Sequence, residues 1–262
     1  MNLSPFQNFI WIAGTVLKLL LCVLVFARGL HRRLPLFSLY IALLLPEAVG
    51  VHWVYRHWGY TSQAAKYFYW MSLGIVLCAR ALAVAELCWR SLRDSPAVWG
   101  TVRKPLVLLA SALLVYAAVS AASNRSPMIA FTLAVERSLD FGIVVILAAL
   151  AGLGVRYKVW LGQTEKKVVL GFAVYSAFQV VNDAFMEKWM MQYFRWWVSA
   201  SVISFDAALL IWIVPLLRPL PPLTPPPTLF SQEESTAILA QILEQLRRIV
   251  QETKRVLRSR WK

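Results

Sequence analysis

The chain has 262 residues and a formal charge of +14; 59% of its residues are apolar and only 15% charged, for a mean hydropathy of +0.60. Soluble domains carry about 25% charged residues, so composition excludes an ordinary water-soluble globule and makes lipid the expected solvent. The basic residues stand at the ends of apolar runs and in the C-terminal tail, a pattern of membrane topology beside an anionic leaflet rather than of nucleic-acid binding.

A helix needs about 20 residues to cross the hydrocarbon core. Seven runs meet that length, at about 8–28, 35–56, 67–92, 105–123, 127–153, 168–190 and 194–217. The first carries Lys18 in its middle and lacks both a basic leading region and a small-residue cleavage site, so it reads as a retained helix and not a signal peptide. In the second, Pro46 predicts a kink beside Glu47. Eleven Lys and Arg residues flank one set of helix ends (Arg28, Arg32 and Arg33 among them) against five at the other. The richer side is expected in the cytoplasm, which puts the N-terminus outside and the C-terminus inside. Trp53, Tyr55, Trp58, Tyr60 and Tyr67, and later Trp189, Tyr193, Trp196 and Trp197, bracket two outer turns as a headgroup belt. The expected fold is an all-α membrane protein: a seven-transmembrane-helix bundle over 1–218, multi-pass in the inner (cytoplasmic) membrane.

Cys22, Cys78 and Cys88 fall in apolar runs with no disulfide or metal-ligand spacing, although Cys88, near a membrane edge, could accept a fatty acyl group.

Six prolines between Pro219 and Pro227 forbid a helix and predict an extended linker over 219–230. Ser231 and Glu234 then match a capping box, opening an amphipathic basic helix over 231–262. Leu239, Ile242, Leu246, Ile249, Thr253 and Val256 recur at spacings of three and four, with Leu243, Val250 and Leu257 widening the stripe. Seven basic residues after position 246 and the terminal Trp261 suit a helix lying on an anionic inner leaflet. The same stripe also suits a protein partner or a homo-oligomer of the tail.

The third feature is polar. Lys18, Glu47, Arg80, Glu136, Arg137, Asp140, Asp183 and Asp206 lie inside apolar runs, with Gln179 and Asn182 on the helical face of Asp183. At 1.5 Å per residue the charged groups sit roughly 12–20 Å below the outer boundary, in one slab contributed by six of the seven runs. Charge at that depth is costly, so these groups are expected to face protein or water. The run from Leu106 to Ala122 alone lacks a charge. Three cations stand against five carboxylates, so either some carboxyls are protonated or a cation or cationic ligand completes the site. Structural pairing that holds helices in register is the competing reading. Glu86 lies deeper, with Arg90 at i+4 as its natural partner.

No catalytic signature is present. The last run has no lysine for a Schiff base, and His31, His52 and His57 are not placed for a metal or a hydrolase. No phosphate-binding or dinucleotide fingerprint occurs, so neither a cofactor nor a metal is expected. The topology resembles that of seven-helix receptors and of the membrane input modules of some bacterial sensors, in helix count, orientation and cytoplasmic helical extension. No Asp-Arg-Tyr or Asn-Pro-x-x-Tyr motif is present, so no residue roles carry over. The leading expectation is a sensor or receptor-like module whose buried polar pocket couples to the tail helix. A small transporter or proton/cation pathway, and a scaffold recruiting a partner by its tail, are the alternatives.

Overall fold

The computed structural model describes residues 5–59, 62–92, 96–122, 127–157, 162–189 and 194–218. The expected linker and tail helix therefore lie outside the described residues. What is described is helical, with no strand. The elements are α1 (Pro5–Ala27), α2 (Leu30–Arg33), α3 (Pro35–Trp58), α4 (Gln63–Leu92), α5 (Pro96–Ala122), α6 (Pro127–Tyr157), α7 (Gln163–Trp189) and α8 (Phe194–Leu216). Two bounds differ in kind from the sequence reading. The apolar run at 105–123 is the second half of a helix that starts at Pro96, and the turn after α1 holds the short α2, which hydropathy alone does not reveal. Gly29, at φ 70°, makes that turn at a dihedral most side chains resist.

Among the described residues, four helices are long and apolar enough to cross a membrane, over Phe9–Ala27, Pro35–Trp58, Gln63–Leu92 and Ser199–Leu216. The apolar stretch of α5, Leu106–Ser120, is shorter. In α6 and α7 the apolar stretches are diluted by Glu136, Arg137 and Asp140 and by Gln179, Asn182 and Asp183.

Packing closes the helices into a ring. Going round, α1 touches α3, α3 touches α4, α4 touches α6, α6 touches α7, α7 touches α8, and α8 returns to α1. Helix α5 packs mainly on α6 and stays outside the ring. Its Leu108, Val115, Tyr116 and Val119 are exposed and its buried contacts are apolar, Ala117 and the core-packed Leu106 among them, which fits the absence of charge in its apolar half.

Aromatic rings fill the middle of the ring. Phe37 and Tyr40 of α3, Phe172 of α7 and Trp212 of α8 are each almost wholly buried. The Trp212 centroid lies 5.4 Å from Phe37, 5.0 Å from Phe172 and 6.2 Å from Tyr40. The indole N–H donates to the Val168 carbonyl at 3.1 Å. That seat needs a glycine, because a Cβ at Gly171 would overlap the indole nitrogen. Gly171→Ala is expected to lower stability by about 1–3 kcal/mol through overpacking. Gly74→Ala is the control, with open space at its Cβ position, and should be neutral or slightly stabilising. Thermal unfolding of the two variants in detergent checks both.

Two charged side chains close helix ends. Leu34 stands at the N-cap of α3 and offers no side-chain acceptor, and Pro35 follows at the first helical position. The N–H groups of Leu36 and Phe37 instead donate to Glu86 Oε2 of α4, each at 3.0 Å. Arg90 lies 3.4 Å from the other oxygen of Glu86, the i,i+4 pair expected from sequence. At the end of α8, Arg28 donates from Nε to the Leu216 carbonyl at 3.1 Å and from Nη2 to the Leu217 carbonyl at 3.0 Å. A cation at carbonyls left over by a helix C-terminus is favourable on both hydrogen-bonding and dipole grounds.

Candidate functional site

The ten polar residues read from sequence divide into three groups by nearest partner. The first lies where α1, α3 and α8 meet. Lys18 interacts electrostatically with Glu47 and Asp206, and its Nζ stands 5.5 Å from the Phe205 ring centroid. Asp206 can approach α1 because residue 14 is glycine: a Cβ there would come within 2.7 Å of Asp206 Oδ1. That oxygen is buried and has no hydrogen-bond partner among the described residues. Pro46 lies inside α3, removing the N–H that the Ala42 carbonyl would otherwise use, one residue before Glu47.

The second group joins α4, α6 and α7. Arg80 Nη2 lies 2.9 Å from Asp140 Oδ1, and the two side chains are 3% and 1% exposed. The contact is an ion pair without an aligned hydrogen bond. The guanidinium carbon also sits 5.4 Å from the Tyr175 ring centroid. Ser176, fully buried, adjoins the Asp140 carboxylate. Glu136 interacts with both Arg80 and Asp140. Gln179 extends the group to α8, donating to the Tyr175 hydroxyl at 3.0 Å and accepting from the Ser201 hydroxyl at 2.9 Å. Asn182 is buried, and its Oδ1 has no hydrogen-bond partner among the described residues.

The third group is the pair Arg137–Asp183, at 3.5 Å, and it does not face the interior. Its side chains are 54% and 35% exposed, on an open cleft between α6 and α7 lined also by Phe141, Val180 and Ala184. Sequence depth placed this pair with the rest. Helical phase turns it aside, because Arg137 is one step, about 100°, round α6 from Glu136, which reaches Arg80.

The formal charges sort with the groups. By nearest partner, Lys18 faces Glu47 and Asp206, Arg80 faces Asp140 with Glu136 in reach, and Arg137 faces Asp183, while Glu136 also interacts with Arg137 and Asp183. On that grouping each interior group carries one carboxylate in excess. On the same helices, the central aromatics all lie toward the ends that bear Arg28, Lys166 and Arg218. Trp212 is six residues beyond Asp206, Phe172 four before Ser176, and Phe37 ten before Glu47. The polar groups therefore stand above an aromatic floor.

Several participants were not legible from hydropathy. Tyr175, Phe205 and Ser176 are uncharged and are not among the residues singled out from sequence. The spacing Tyr175, Gln179, Asn182 is the one available signal, since it aligns polar side chains on a single face of α7. Among the described residues no group of His, Cys, Asp and Glu is arranged to hold a metal ion.

No protein-family model matches the chain, and neither a curated protein nor a solved structure does.

Proposed function

We propose that this is a polytopic inner-membrane protein in which all seven long helices cross the bilayer, N-terminus out and C-terminus in, and that it acts as a sensor or receptor-like module. The signal is a proton or a small cation taken up by the two interior groups. The observation that carries this reading is the excess of one carboxylate in each, around Lys18 and around Arg80. In a low-dielectric interior an uncompensated carboxylate is costly, so binding a proton or cation there is favourable. The aromatic floor supports a closed pocket over a through-pathway. Trp212 supports the coupling: it lies six residues beyond Asp206 on α8, packed on Phe37, and the last carbonyls of that helix are held by Arg28 just before the proline-rich linker. Occupancy would shift the population of two arrangements of this contact, and the amphipathic tail on the anionic inner leaflet would report it.

The test is a titration of the protein in lipid nanodiscs, with acid and with Na⁺, K⁺ and methylammonium, followed by tryptophan fluorescence. Wild type should respond saturably to at least one of these. Asp206→Asn and Glu136→Gln, which remove the excess charges, should each weaken the response by about tenfold or more, the equivalent of about 1.4 kcal/mol of binding energy. A flat response in wild type, or one unchanged in both variants, rules the pocket out. Cation or proton flux in sealed liposomes would favour a pathway instead.

A further inference from the structure

The pair Arg137–Asp183 lies within electrostatic reach of Glu136 and Asp140 but opens away from the interior, and its setting calls for a cover. The Arg80–Asp140 contact fixes the height of α6 against α4. Lys66, at the outer end of α4, is 14 residues above Arg80. At 1.5 Å per residue that is about 21 Å, and Arg137 lies one turn above Asp140, or about 16 Å below the level of Lys66. On the reading that α6 and α7 cross the bilayer, two half-exposed charges therefore face acyl chains at a depth where charge is expensive.

We propose that this face is the interface between two copies of the chain, related by a two-fold axis along the membrane normal. The argument is charge complementarity. The cation is on α6 and the anion on the neighbouring α7, 3.5 Å apart at one level. A two-fold axis through the cleft sets α6 of one copy against α7 of the other, so Arg137 of each meets Asp183 of the other and two pairs become a four-charge ring. Isologous contacts require this kind of self-complementary patch. The cleft is shaped for it as well. Ala184 leaves it shallow, and Phe141, 53% exposed and one turn below Arg137, provides an apolar side chain to enter it from the facing copy. This interface is independent of the tail helix.

The experiment uses charge patterns that pair only in trans. Full-length R137D carries acid at both positions, and full-length D183R carries base at both. Each should self-associate poorly, because like charges oppose one another across the axis. Coexpressed with different tags, the two should capture each other at least about tenfold more than either captures itself, since both inter-copy pairs are then complementary. Rescue in trans shows that the single variants fold. Ala184→Cys in a background lacking Cys22, Cys78 and Cys88 gives a second reading without altered charge. It should cross-link into a dimer in native membranes, and Val16→Cys, on the outer face of α1, should not. Equal capture in all combinations together with no cross-link at 184 overturns the proposal in favour of a lipid headgroup or another protein's helix on this face. In the same cysteine-free background, an impermeant maleimide should label N124C in intact cells and G162C only after permeabilisation, which reads the membrane crossing of α6 and α7 separately. A failed dimer and a wrong topology are thereby told apart.

Discussion

Asp140→Leu alone is expected to destabilise the protein by about 3–5 kcal/mol, the usual consequence of leaving one member of a buried ion pair uncompensated. Arg80 is the group left behind: it is 3% exposed, and Asp140 is its 2.9 Å partner. Glu136 lies within electrostatic reach but not in contact, so it recovers only part of the loss. Arg80→Met alone should cost a similar amount, for the mirrored reason. The double variant R80M/D140L should regain most of the stability, because a buried pair replaced by packed apolar residues of similar volume is often neutral or stabilising. Thermal unfolding of the four proteins in one detergent completes the double-mutant cycle, with a coupling of about 2 kcal/mol or more as the expected result for groups in direct contact. The double variant has a further use. If it unfolds like wild type yet no longer answers protons or cations, the pair serves the site and not the fold. If stability and response are both intact, the pair merely sets the height of α6 against α4.

How far the site could be read from the sequence depends on which quantity each feature needs. All-helical architecture follows from apolar run length, and interior charges are conspicuous because so little else in the chain is charged. Depth needs only residue counts, so Arg80 and Asp140 are expected at one level and are found in contact. Partner choice needs helical phase and the order of helices around the ring. Arg137 shows the difference: it sits one residue from Glu136, yet it turns to Asp183 on the outer cleft while Glu136 reaches Arg80. The exclusion of α5 from the ring has a sequence trace in its missing charge, but only the closed ring of the other helices explains it. Gly171 and Gly14 left no trace at all. Each is one glycine in an apolar helix, and its use appears only when Trp212 and Asp206 are seen against it.

Glu86 is the clearest case of a charge whose depth was legible and whose work was not. Its spacing to Arg90 suggests an i,i+4 pair of a few tenths of a kcal/mol, whereas the side chain is 4% exposed and its second oxygen serves a different helix. The start of α3 explains why. A helix leaves its first N–H groups without internal partners, Leu34 cannot cap them, and Phe37 is buried among Tyr40's neighbours Phe172 and Trp212, where water cannot do so. Both donors turn to Glu86 Oε2. Hydrogen bonds to a charged group contribute about 1.5–3 kcal/mol each, so Glu86→Ala should cost about 3 kcal/mol or more. It should also loosen the base of the aromatic floor, because Phe37 is held at the N–H that loses its acceptor. Glu86→Gln keeps a carbonyl acceptor at the same reach and removes only the charge, so it should retain roughly half of the loss at most. Arg90→Ala, which spares the cap, should cost about 1 kcal/mol or less, in line with a partly exposed pair. Unfolding midpoints rank the three variants, and amide exchange at Leu36 and Phe37 locates the effect. Uniform protection at those two amides in Glu86→Ala would show that the carboxylate does not cap α3, and the order Ala, Gln, wild type would then have to come from Arg90 alone.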